Sequence, residues 1–169
     1  MPKLIKLTAD GSAAFAEDAF VFVTDEEDVP TQGDVVVSLQ RFVTEGEALL
    51  SGRKVGVVVQ PGETIEDLAY DLPRLAVVAL AFPKYRDGRA YSSARLLRER
   101  FGFTGEIRAV GDVLQEQAQH MVRCGFDAFE PADGADPQAW FRAAHRYRHV
   151  YQRAADGREP AFDERAKGG

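Results

Sequence analysis

The sequence predicts an α/β protein of four to five βα units around a parallel sheet, preceded by extra N-terminal strands. Three observations predict it. VGVVV (55–59) and LAVVALAF (75–82) are unbroken apolar runs of strand length, as expected of strands covered on both faces. EIRAV (106–110) and FDAFE (126–130) continue the series. Segments of helical period separate these runs, and such alternation builds βαβ units with right-handed crossovers. Two arrangements satisfy the pattern, a half TIM-barrel-like sheet or a small open doubly wound sheet. Half a barrel leaves open edges, so it calls for a homodimer or for protection by the N-terminal strands.

Taken in order, residues 3–8, 19–24 and 34–39 are strand candidates, the last two separated by the turn-rich DEEDVPTQGD. A helix over 40–50 follows, with Phe42, Ala48 and Leu49 among its apolar positions. Pro61-Gly62 turns the chain after the first buried strand. Thr64, with Asp67 three residues on, predicts a capped helix near 65–72. Tyr91 or Ser92 opens a helix over 90–101. Asp112 is placed to cap a helix that runs to Arg123 and stops at Gly125. Asp136-Pro137 supplies a cap and an N1 proline before a helix carrying Trp140, Phe141, Ala144, Tyr147 and Tyr151. The reading is of one domain over 1–153. The polar, charged tail over 154–169 is expected to be disordered.

At 169 residues the chain is long enough to bury a core, and its net charge of −6 argues against bulk nucleic-acid binding. The run 75–82 is far shorter than the roughly 20 residues a membrane helix needs. MPKLIKLTADG has no signal-peptide h-region, and a single cysteine, Cys124, permits no internal disulfide. A reduced, cytoplasmic setting is the simplest reading.

Within this acidic chain, Lys84, Arg86, Arg89, Arg95, Arg98, Arg100 and Arg108 fall within 25 residues, opposed by Asp87, Glu99 and Glu106. The loop FPKYRDGRAYSSAR follows the second buried strand, where open and barrel α/β sheets alike collect ligands. Helix N–H groups near Ser92 and Ser93 favour an anion, and Lys84, Arg86 and Arg89 offer charge-assisted bonds. Arg108 lies inside the third strand and reaches the same mouth if it faces inward; a buried arginine there needs a partner. Arg95, Arg98 and Arg100 read as a solvated helix face, with Arg95 and Glu99 an i,i+4 pair. Asp112 is a candidate acid/base or an arginine anchor as well as a cap, with Gln115 beside it and Gln119 on Gln115's helix face.

Cys124 sits at a helix C-terminus, which disfavours a thiolate, so it reads as a small core residue. His145 and His149 share a helix face, but Arg146 follows His145 where HExxH needs glutamate, and His120 adds no metal spacing. There is no GxGxxG, P-loop or GxSxG, so no cofactor is predicted.

FPKYRDGRAYSSARLLRERFGFTGEIRAVGDVLQEQ followed by MVRCGFDAFE resembles the signature of a bacterial domain-of-unknown-function family. Its genes lie beside those for assimilatory sulfite reductase, and its members carry the label of oxidoreductases involved in sulfite reduction. The resemblance is dense over 56–130 and begins near Asp34. Glu116 departs from it, standing where the family's DVLxDQ segment has aspartate. The resemblance implies a role in sulfur assimilation; together with the basic strand-end site and the absence of cofactor motifs, it leads to an accessory protein that binds an anion or an acidic partner, such as sulfite reductase, through that site. The alternative is an oxidoreductase, as the family label implies, or another enzyme acting on a small anion such as sulfite; on the reading of the residues above, Arg89 and Arg108 would hold the anion and Asp112 would act as acid/base.

Overall fold

The computed structural model describes residues 3–8, 10, 12–131, 135–146 and 154–167. Eight strands form one sheet: β1 (Leu4–Leu7), β2 (Ala13–Ala16), β3 (Phe20–Phe22), β4 (Asp34–Ser38), β5 (Val55–Val59), β6 (Val77–Phe82), β7 (Glu106–Gly111) and β8 (Ala128–Phe129). Their order is β2-β1-β8-β7-β6-β5-β4-β3, with β3 to β8 all parallel and β1 antiparallel to both β2 and β8. Each parallel strand is laid beside the one before it, in one direction. Right-handed crossovers then put every intervening helix on the same side. The sheet curls into a half barrel, and the doubly wound alternative, which needs a reversal of strand order, is excluded.

The helices are α1 (Leu39–Leu49), α2 (Arg89–Arg95), α3 (Ala118–Cys124), α4 (Pro137–Ala144) and α5 (Ala161–Lys167). Among the described residues none is long and apolar enough to cross a membrane. Ser38 caps α1 through the Arg41 N–H at 3.0 Å, and Asp136 caps α4 through the Gln138 N–H at 3.0 Å, with Pro137 at N1. Gly125, at φ 110°, ends α3 in the left-handed conformation, as read from the sequence. The main core lies between strands and helices, where Val35, Val37, Val57, Val78, Leu80, Ile107 and Phe129 meet Phe42, Leu68, Leu97 and Met121.

Several expectations are corrected. The helix near 65–72 is two 3-10 turns, Ile65–Leu68 and Leu72–Arg74, and the Thr64 side chain caps neither. Pro73 has no N–H, so an α-helical ladder cannot run through it. The helix after β6 starts at Arg89 with Gly88 as its cap, so Ser92 lies inside the first turn. It then passes into a π turn, Leu96–Arg100, closed by the Phe101 N–H on the Leu96 carbonyl at 3.0 Å. Asp156 accepts from Arg123 at 2.6 Å, the Ala155 N–H donates to the Arg123 carbonyl at 3.1 Å, and 161–167 are helical. Tyr147, His149 and Tyr151 lie outside the described residues.

The curl depends on the concave face. Its lateral rows are Val36-Gly56-Val77 and Ala79-Arg108-Ala128, small residues except at one position. A Cβ on Gly56 would lie 2.9 Å from both Val36 Cγ2 and Val77 Cβ, so glycine lets the inner side chains converge. The exception is Arg108, which is fully buried. Its Nη1 donates to Asp18 at 2.6 Å and Glu130 at 2.9 Å, its Nη2 to Asp18 at 3.1 Å, and its Nε to Glu106 at 2.7 Å. Lys6 also pairs with Glu106, at 2.6 Å. The Arg108 guanidinium lies about 6 Å from the Phe20 and Phe22 rings (6.0 and 5.9 Å). Burial raises the Glu130 pKa above the usual carboxylate value, partly offset by its bonds to Arg108.

Asp18 belongs to the three-residue link between β2 and β3, the two edge strands. Ala16 and Phe20 can therefore be at most about 14 Å apart. One segment, 13–22, pairs with β1 by its first half and β4 by its second, so the N-terminal strands cover β8 and β5 while β2 and β3 themselves become the two edges. β2 was not foreseen, because AAFA has none of the β-branched residues that mark a strand.

Arg108→Met, which leaves Asp18 and Glu130 without their cation and Glu106 with Lys6 alone, is expected to cost about 3–5 kcal/mol. Gly56→Ala is expected to cost about 1–3 kcal/mol through overpacking. Urea unfolding followed by far-UV circular dichroism measures both.

Candidate functional site

The carboxyl ends of β6 and β7 carry the site. Gly111, at φ 96°, lets the end of β7 fold over that of β6; a Cβ there would lie 2.4 Å from the Phe82 carbonyl oxygen. The Asp112 N–H donates to that same oxygen at 2.7 Å. Asp112 is thereby turned towards the loop after β6, and its carboxylate accepts the Tyr85 N–H at 2.9 Å. From the other side Gln117 Nε2 donates to the Tyr85 carbonyl at 2.6 Å. Both backbone polar groups of Tyr85 are thus held. Asp112 is a clamp on this loop and not the cap of α3, which starts six residues later after a 3-10 turn, Gln115–Gln117.

Around this fixed point the side chains face outward. Tyr85 is 41% exposed, and Arg86 lies over its ring at 5.3 Å while Nε donates to the phenolic oxygen at 2.6 Å. Asp87 turns back on Arg89, accepting its backbone N–H at 3.1 Å and its guanidinium at 3.0 and 2.6 Å. The bond to the Arg89 guanidinium, then that to its N–H, lowers the Asp87 pKa to about 2. Lys84 is exposed, and among the described residues no side chain pairs with it.

The structure brings Lys84, Arg86, Arg89 and Asp112 into one loop region and separates the rest. Ser93 and Arg89 line a cavity of about 20 Å³ between the ends of β5 and β6, with Gly62 and Leu80. That is room for roughly one water. Ser92 is exposed on the first turn of α2. Arg108 points into the concave interior, with its donors taken by Asp18, Glu106 and Glu130. Gln115 opens onto a different groove, against α4.

Arg95 and Glu99 pair on the surface at 3.3 Å, as their spacing implies. Arg98 does not join them. It donates to the carbonyls of Gly125, Phe103 and Gly105 at 3.0, 2.8 and 2.7 Å, and its Nη2 lies 3.4 Å from Asp127. It ties the π turn to the start of β7 and the end of α3. Gln117 is the other residue that sequence reasoning passed over; its distance from Tyr85 in the chain left no signal. Cys124 is buried 3.9 Å from His120 Nε2, and burial raises its thiol pKa. Among the described residues no group of His, Cys, Asp and Glu is arranged to hold a metal ion.

Residues 56–162, more than half of the chain, match the family described as "Bacterial protein of unknown function (DUF934)". The chain belongs to this family. The matched span includes the whole Lys84–Arg89 loop, both clamps on Tyr85, and α2, α3 and α4. It leaves out β1 to β4 and therefore Asp18. No curated protein matches the chain.

Two outcomes test the loop. In Asp112→Ala the Tyr85 amide should lose at least tenfold of its hydrogen-exchange protection, read residue by residue by NMR. In Arg89→Gln the Asp87 carboxyl should titrate closer to the ordinary 3.8 than to about 2. The carboxylate form of Asp87 is favoured by folding, so its contribution is present above pH 3.8 and lost as pH falls towards 2.

Proposed function

We propose that this protein is a cytoplasmic accessory factor of assimilatory sulfite reduction that docks an acidic protein partner through the Lys84–Arg89 loop. One observation carries the docking surface: a loop held at Tyr85 by Asp112 and Gln117 presents Lys84, Arg86 and an exposed tyrosine outward. Tyrosine and arginine are the residue types enriched at the energetic centres of protein interfaces, and a fixed loop loses little entropy on binding. The adjoining cavity, at about 20 Å³, is too small for a substrate, which favours a docking role over catalysis at this place. The pathway is supported by the family resemblance and its neighbouring sulfite-reductase genes. The partner would be the reductase or another sulfur-assimilation protein with a carboxylate-rich face.

Purified protein should associate with the sulfite-reductase proteins, measured by biolayer interferometry. Reversing two charges in Lys84→Glu/Arg86→Glu should weaken association at least tenfold, mostly through the on-rate, and raising salt should weaken the wild type in the same way. Deleting the gene should slow growth on sulfate and leave growth on cysteine unchanged. Absence of association together with normal growth on sulfate would sink the reading.

A further inference from the structure

A second site lies beyond the loop, where the 3-10 turn Gln115–Gln117 and the start of α3 face the end of α4. These elements border an open groove of about 270 Å³, just below the roughly 300–1,000 Å³ usual for drug-sized ligands and so suited to a small one. Gln115, Glu116 and Gln119 line one wall, and Arg142 and Arg146 line the other. We propose that this groove binds a small organic or inorganic anion. The two guanidiniums would take its carboxylate or oxyanion, and the two glutamine amides its remaining polar atoms.

The charges here are not spent on the fold. Arg146 has no carboxylate partner among the described residues, although it lies two residues past the end of α4 in a densely charged chain. Arg142 meets Asp136 at 3.8 Å, with both side chains more than half exposed (69% and 57%), a contact of little energetic weight. No hydrogen bond engages the side chains of Gln115, Glu116 or Gln119 among the described residues. Arginine pairs, forked and planar, match the two oxygens of a carboxylate or tetrahedral oxyanion. Among the lining residues Glu116 opposes them, leaving a formal excess of one positive charge, which the exposed Asp136 beside Arg142 partly offsets from outside the groove. The groove therefore suits a ligand with one anionic group better than a compact polyanion.

The open space has a simple origin in the sequence. Ala139 lines the groove on the face of α4 towards α3, whereas its neighbour Trp140 is buried against Phe129 at 4.9 Å. A large residue at 139 would occupy the space. All the lining residues fall inside the family span, 56–162. The groove shares the turn Gln115–Gln117 with the docking loop, but its ligand is held by other side chains, so the inference stands independently of the partner proposed above.

Calorimetric titration of the full chain with sulfite, sulfate, phosphate and acetate tests the site. Saturable binding of at least one probe is expected, weakened at least tenfold in Arg142→Gln and in Arg146→Gln. Both residues are exposed, so these variants should melt at the wild-type temperature. Ala139→Trp should block the same probe without changing any charge, and Lys84→Gln/Arg86→Gln should bind it as wild type does. If none of the four probes saturates, or if binding survives both arginine substitutions, the proposal fails. It also fails if binding is lost in Lys84→Gln/Arg86→Gln, which would move the anion to the docking loop.

Discussion

The burial of Arg108 at the centre of the concave face is the constraint on which the fold depends. A guanidinium out of water is tolerated only when its donors are bonded and its charge is met. Here Asp18, Glu106 and Glu130 do both, and they come from three separated parts of the chain. Asp18 stands 90 residues from Arg108, so satisfying this one side chain fixes where the N-terminal segment must lie. The small residues around it, Gly56, Ala79 and Ala128, allow the curl that brings Asp18 within reach. An apolar residue at 108 could fill the space but would not specify which segment closes the sheet.

The outer end of the sheet uses polar groups differently. Asp112 and Gln117 hold backbone groups of Tyr85 and leave the loop's cations in solvent. Arg98, by contrast, is spent on three carbonyls at the opposite end of β7. The basic cluster that looks uniform in sequence thus divides into a buried keystone, a scaffold tie, surface pairs and an outward-facing loop.

Much of the architecture was legible in the sequence. VGVVV and LAVVALAF announced strands covered on both faces, and Asp136-Pro137 and Gly125 marked real helix ends. Arg108 was readable as a residue needing a partner, but not which partner, because local patterns carry no information across 90 residues. Asp112 was read as a cap since aspartate before a helix usually is one; the fold of Gly111 over Phe82 turns it elsewhere. Arg98 was assigned to solvent by a period of 3.6, which a π turn does not keep. The groove between Gln115 and Arg146 exists only once α3 and α4 pack. No spacing along the chain could have revealed it.

The segment 13–22 has a consequence for where the protein can be divided. The family-matched span starts at Gly56, inside β5, yet β4 is the hydrogen-bonded neighbour of β5 and β1 is that of β8. Residues 56–162 alone would expose both of those strands as bare edges and leave Arg108 without Asp18. The portion recognisable by sequence is therefore smaller than the portion that can fold. In this chain the missing wall, with its carboxylate at the corner, is built from residues 4–38.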